Sequence, residues 1–154
     1  MNQKKLDILL FFLLCVVIVG LPAAMAAYDH HLWREKIPAG AKVFTLTGNT
    51  AAGWILGDVP AYDAIFFGLS KQRYRRPVIE VSRGDRVVLK LKSSDVVHGF
   101  SLKGFGVFAT DGIQPGKTVL VSFIADKAGR FTFSCNAICG PNHKNMQGVL
   151  LVRA

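Results

Sequence analysis

Apolar and polar positions divide the chain into two unlike parts. Residues 8–21 form an uninterrupted apolar run behind Lys4 and Lys5, and the uncharged stretch, counted through Tyr28, is 21 residues long. About 20 apolar residues span a bilayer as a helix. From Lys42 onward the period drops to two. Lys42-Val-Phe-Thr-Leu-Thr47 alternates and is rich in β-branched and aromatic residues, which predicts a strand. Further strands are predicted at 77–81, 86–92, 96–102, 117–124, 130–135 and 147–152, separated by turns at Arg83-Gly84-Asp85, Pro115-Gly116 and Lys127-Ala-Gly129. In the second of these, Val87, Leu89 and Leu91 face one way and Arg86, Lys90 and Lys92 mostly the other. Short strands with Gly and Pro turns, and no long helix after the first, predict an all-β sandwich or barrel with Greek-key links.

The expected organisation is a hydrophobic segment over 1–27, a polar linker over 28–41 broken by Pro38 and Gly40, and a β domain over 42–154. Residues 53–76 fit the strand pattern least. Gly53–Leu56 reads as a strand, residues 60–69 as a short helix or aromatic loop capping the sandwich, and 71–76 as a basic run. That run is either a solvated face or a docking site for a membrane subunit or anionic headgroups. For the first segment, two readings stand. Ala24-Met25-Ala26 has the small-x-small form of a signal-peptidase site, whereas the length suits a retained anchor. In both, Lys4 and Lys5 stay in the cytoplasm and the rest of the chain is delivered outside.

The formal charge is +9, of which residues 28–154 carry +8, because Lys4, Lys5 and Asp7 account for the difference. A basic surface favours acidic proteins, anionic headgroups or nucleic acid. The absence of a nucleic-acid motif and the export signal argue against the last. Three cysteines are too few for a disulfide scaffold. Cys15 lies in the apolar run and reads as a lipid-facing hydrophobe. His30-His31 reads as a solvated pair near the membrane exit, with metal binding the alternative.

Chemistry concentrates between Cys135 and Met146. Cys135-Asn-Ala-Ile-Cys139-Gly-Pro-Asn-His143-Lys-Asn-Met146 places two thiols, an imidazole and a thioether within twelve residues. Cys and Met are soft ligands suited to copper(I), and imidazole suits both copper oxidation states. The loop joins two strands, and Gly140-Pro141 allows the reversal that returns His143 towards the cysteines. Other readings are a plain disulfide in an oxidising compartment, a thiol-pair redox or metallochaperone motif, for which the following helix is missing, and zinc, which has little use for Met146.

The spacing Cys-x-x-x-Cys-Gly-x-x-His-x-x-Met resembles the ligand loop of the dicopper CuA centre in the cupredoxin domain of cytochrome c oxidase subunit II. Asp95-Val-Val-His98-Gly-Phe-Ser-Leu102 is similar to the family's upstream histidine strand, and Ala109–Gly116 to the stretch after it. The resemblance covers roughly residues 77–153. It implies a cupredoxin-like Greek-key sandwich that binds two copper ions. Cys135 and Cys139 would bridge them, His98 and His143 would bind one each, Met146 would be an axial ligand, and the carbonyl of Ala137 the remaining contact. Phe100, Phe105, Phe108, Phe131 and Phe133 would wall the site. The implied function is electron transfer, as the electron-accepting subunit of a membrane haem–copper oxidase. Its partners would be a haem-bearing subunit I and an extracytoplasmic donor (a cytochrome c or small copper protein), which the basic charge predicts to be acidic. Alternatives are a free-standing CuA carrier for another reductase, anchored or secreted after cleavage near Ala26, and copper delivery.

The sequence departs from that pattern in three ways. Ala137 stands where the larger oxidases carry a Glu that reaches a second metal. Their Trp- and Tyr-rich electron-accepting segment is not recognisable, unless Trp54 or Tyr62 substitutes. They have a two-helix hairpin, whereas this chain has at most one span. These features resemble the small, single-span ba3-like subunits or a paralogue. The His-Gly-Phe around His98 also resembles the CuA domain of nitrous oxide reductase, without that enzyme's large catalytic domain.

Overall fold

The computed structural model of the chain describes residues 2–32, 37–59 and 76–154. They fall into two compact units, divided between Lys36 and Ile37.

The first unit is helical: α1 (Gln3–Cys15), a π-helical stretch over Val16–Gly20, and α2 (Leu21–Leu32). Pro22 explains the widened turn. Proline has no N–H to donate and its ring crowds the carbonyl one turn earlier, so the hydrogen-bond ladder is re-spaced just ahead of it. No side chain of α1 or the π stretch is buried. Gln3–Tyr28 is a continuous 26-residue helical stretch whose most apolar 18-residue window has a mean hydropathy of 2.9, long and apolar enough to cross a membrane. The helix continues to Leu32, so the first residues of the expected linker are helical.

The second unit is a two-sheet sandwich of nine described strands: β1 (Lys42–Asn49), β2 (Gly53–Leu56), β3 (Val78–Ser82), β4 (Arg86–Ser93), β5 (His98–Leu102), β6 (Val107–Ile113), β7 (Val119–Ile124), β8 (Gly129–Ser134) and β9 (Gln147–Arg153). One sheet has the order β2-β1-β4-β7 and the other β3-β9-β8-β5-β6. β1 runs parallel to β4 and β3 parallel to β9, and the remaining pairs are antiparallel. Each sheet buries one face against the other, as alternating strands must. Val87, Leu89 and Leu91 of β4 point inward as predicted, and meet Leu46, Ile79, Leu102, Ile113 and Leu150 from both sheets.

The aromatic core is a chain of rings. Trp54 lies edge-on to Phe100 at 5.6 Å, and Phe100 tilts against Phe133 at 5.6 Å. Phe105 contacts Phe123 and Phe131 in a second, half-buried group. Phe108 is exposed instead, so it is not part of the wall expected around the site.

Two details depart from the sequence pattern. β5 begins at His98 rather than at residue 96, because Val96 and Val97 belong to an exposed turn in which the Ser93 hydroxyl bonds the Val96 carbonyl. β6 went unanticipated. Its Thr110-Asp111-Gly112 reads as a turn, yet the strand passes through it with Gly112 at φ 73° and a register shift against β5 between His98 and Phe100. Such a bulge inserts an unpaired residue without ending the strand.

The same end of the sandwich receives the β1–β2 turn, the β4–β5 turn and the β8–β9 loop. Ser94 N–H donates to the Gly48 carbonyl at 3.1 Å, and Cys135 N–H to the Met146 carbonyl at 3.0 Å. Among the described residues, the candidate metal-ligating cluster of His98, Cys135 and Cys139 lies at this end.

Candidate metal centre

The β8–β9 loop is tied at its base by that Cys135–Met146 bond and in its second half by a 3-10 turn, His143–Asn145. His143 N–H bonds the Gly140 carbonyl at 3.1 Å and Asn145 N–H the Asn142 carbonyl at 2.8 Å, so the reversal predicted at Gly140-Pro141 is made by backbone bonds. Gly140 has φ 146°, a conformation that a side chain would strain.

Folding gathers all six residues picked from the sequence. Cys135 Sγ lies 3.7 Å from Cys139 Sγ and 3.2 Å from the Ala137 carbonyl oxygen. Cys139 Sγ lies 3.6 Å from His143 Nδ1 and 3.2 Å from Met146 Sδ. The ligand atoms of His98, Cys135 and Cys139 are all within 4.8 Å of one another, a spacing one ion can bridge. Both cysteines are free thiols, so they are not spent on a disulfide. Met146 and His98 are completely buried, and Cys135 nearly so. In contrast, Ile138 at the tip of the loop is 94% exposed.

His98 settles how the pocket is built. Its Nε2 meets Asp95 Oδ1 at 2.8 Å. Its Nδ1 is buried without a hydrogen-bond partner. A buried polar nitrogen left unpaired is costly; Trp54 Nε1 beside it is also unpaired, but only the imidazole nitrogen, next to the two thiols, can act as a metal ligand. The donors are two sulfurs of thiols, one thioether, two imidazoles and a carbonyl, a set that fits a soft thiophilic metal such as copper.

Electrostatics follow from burial and these neighbours. Burial pushes the Cys135 thiol up, but His98 and backbone groups at Ala137 and Gly99 outweigh it and bring it down to about 6. Gly99 N–H points at its sulfur, 3.4 Å away. Burial and the adjacent Cys135 push Cys139 up to about 12. Burial works against a charged His98, yet Asp95 and Cys135 raise it to about 9. Asp95 is itself partly desolvated, but bonds from His98 and Thr50 hold its carboxyl well below the usual range. The two shifts favour a Cys135 thiolate beside a protonated His98. Thiolate is the form that binds metal.

Several contributing residues escaped the sequence reading. In the sequence, Asp95 is only the first residue of the histidine segment, and Gly48 carries no local signal. A Cβ on Gly48 would lie 2.7 Å from the His98 ring, and one on Gly99 would lie 2.9 Å from the Ala137 backbone nitrogen. Both glycines are close-approach positions. Trp54 is one of the two residues that could substitute for the electron-accepting aromatics. It is 1% exposed and packs 6.2 Å from the His98 ring, so it is a wall of the pocket and not a surface contact. Tyr62 with the whole 60–69 segment, and the basic run up to residue 75, lie outside the described residues.

Fold and site together define a class, a two-sheet cupredoxin-like sandwich with a soft-donor metal site in the loops at one end. The comparisons narrow it. Residues 71–152 match the family model of the cytochrome c oxidase subunit II periplasmic domain, and the chain belongs to that family. It is 34% identical over 80 residues to a cytochrome c oxidase subunit 2 of Thermus thermophilus, covering 52% of this chain and 58% of that one. It is 33% identical over 137 residues to the nitrous-oxide reductase of Cupriavidus necator, covering 86% of this chain and 19% of the enzyme. Among solved structures, the periplasmic domain of subunit II of cytochrome oxidase of Bradyrhizobium japonicum superposes with a TM-score of 0.52 at 22% identity, over 75% of this chain and 86% of that one. The chain spans about half the length of the curated subunit 2 relatives it matches.

Proposed function

We propose that this domain carries a two-copper CuA centre and transfers electrons as subunit II of a membrane haem–copper terminal oxidase. The observation that carries the reading is the unpartnered, buried Nδ1 of His98 beside two free thiols in the loop that also holds His143 and Met146. Cys135 and Cys139 would bridge the two ions, His98 and His143 would ligate one each, and Met146 and the Ala137 carbonyl would complete the set. Two copper ions sharing two thiolates supply one-electron chemistry in which the charge is spread over both metals.

The chain's own residues do the rest. Trp54, Phe100 and Phe133 exclude water from the His98 side, and Asp95 holds the imidazole with Nδ1 left for the metal. Outer partners of this kind fix ring orientation and tune the metal. Ala137 presents a methyl group and no carboxylate, so the second metal bound by a Glu at this position in larger oxidases has no ligand here. Exposed Ile138 would meet the donor at the loop tip, and electrons would pass on to haem in a partner subunit. The apolar helix would anchor the domain on the extracytoplasmic face.

The test is to express the full chain in membranes, purify it in detergent, load copper and measure the metal count, visible absorption and electron paramagnetic resonance. Two coppers per chain, a purple colour and hyperfine coupling to both nuclei are expected. One copper with a blue spectrum, or a stable Cys135–Cys139 disulfide that refuses metal, would overturn the assignment.

A further inference from the structure

The turn between β1 and β2 lies outside the residues that match the family, yet it is wired into the histidine side of the site. Thr50 donates to Asp95 Oδ2 twice, from its backbone N–H at 2.6 Å and from its hydroxyl at 2.6 Å. The other carboxylate oxygen, Oδ1, takes the Val96 N–H and His98 Nε2, both at 2.8 Å. Asn49 holds the turn that presents Thr50. Its Oδ1 accepts the N–H groups of Ala51 and Ala52, and its Nδ2 reaches the Ser94 hydroxyl. Thr50 also faces the β8–β9 loop, since a Cβ on Gly140 would stand 3.4 Å from its methyl group.

We propose that Thr50 is a positioning residue of the metal centre, acting through Asp95 to hold the His98 ring with Nδ1 turned to the thiols, while its methyl group braces the loop at Gly140. The inference rests on His98 being a ligand, as proposed above. The physical argument is one of rotamers. A carboxylate held at both oxygens cannot turn, so the imidazole bonded to it cannot turn either. Without the Thr50 hydroxyl, Oδ2 keeps only the backbone N–H, and Asp95 would gain rotational freedom and pass it to the ring. β-branched Thr is suited to the task because its hydroxyl and methyl leave the same stiff Cβ in different directions. One reaches the carboxylate and the other the loop.

The experiment uses full-length protein, reduced and metal-free, with 15N-labelled histidine, comparing wild type with T50V, T50A and T50S. Losing one hydrogen bond from the carboxylate should speed exchange of the His98 Nε2 proton with water by about fivefold in T50V and T50A. T50S, which keeps the hydroxyl, should exchange as wild type does. In copper-loaded protein, T50V should change the histidine hyperfine coupling and the reduction potential, and T50S should leave the potential in place while loosening the loop. A Nε2 proton that exchanges in wild type as fast as an exposed imidazole would overturn the proposal. So would wild-type exchange in either hydroxyl-free variant. The metal-free arm does not depend on copper. If it behaves as expected while wild type takes up no copper, the function is wrong and the positioning role stands.

Discussion

A single hydrogen atom at position 48 decides whether His98 can lie where it does. The ring packs against the β1 backbone so closely that any side chain there must displace it. G48A is therefore expected to destabilise the domain by about 1–3 kcal/mol, the usual cost of overpacking, as read by urea unfolding. It should also weaken copper binding out of proportion to that loss. Asp95 gives a pH signature. Its folded pKa is depressed by His98 and Thr50, so its stabilisation is present above the ordinary carboxylate range and is lost as pH falls through it. Metal-free wild type should lose stability on acidification from pH 5 to pH 2. D95N should lose less over the same range, by on the order of 1 kcal/mol. Equal acid limbs in denaturant titrations would contradict the ion pair.

At the scale of elements, the site is a meeting of three connections from two sheets, not a property of one loop. The β8–β9 loop brings both cysteines, His143 and Met146; the β4–β5 turn brings Asp95 and His98; and the β1–β2 turn holds the second through the Thr50–Asp95 bonds. Asn49 is the element-level pin, because it is buried, two of its hydrogen bonds shape the β1–β2 turn at Ala51 and Ala52, and the third joins that turn to Ser94. N49A should cost about 2–3 kcal/mol, the penalty of leaving buried partners unsatisfied. Amide exchange in β1, β2 and residues 93–98 should accelerate while β8 and β9 keep their protection. Uniform acceleration across the sandwich would mean that Asn49 supports the whole core instead.

At the scale of the molecule, charge and the apolar helix govern what the chain meets. With +8 on residues 28–154, the proposed electron uptake from an acidic donor should slow as ionic strength rises, because salt screens the attraction that steers it. Salt-independent rates would remove steering from the account. The helix of Gln3–Tyr28 should keep the protein in the membrane pellet after an alkaline carbonate wash, with the intact mass of the uncleaved chain. A soluble product shortened near Ala26 would assign it to a signal peptide.

Much of this was legible in the residues alone, for identifiable reasons. Alternation in 42–47 and 86–92, with Gly and Pro turns between strands, specified a two-faced sandwich, because a period of two allows only one face to be buried. The twelve residues from Cys135 to Met146 specified the ligand loop, since soft donors at close sequence spacing must be close in space. The fold alone decided what depends on long separation. Asp95 meeting Thr50 across forty-five positions, a glycine at 48 clearing room for His98 and the burial of Trp54 are pairings of parallel strands and packed faces. β6 was hidden for a related reason, because its Asp111-Gly112 bulge looks locally like a turn and is held in the sheet only by β5. The chemistry was written in the sequence because ligands cluster along the chain; the orientation of that chemistry was not, because it is set by neighbours that only the sheet pairing brings together.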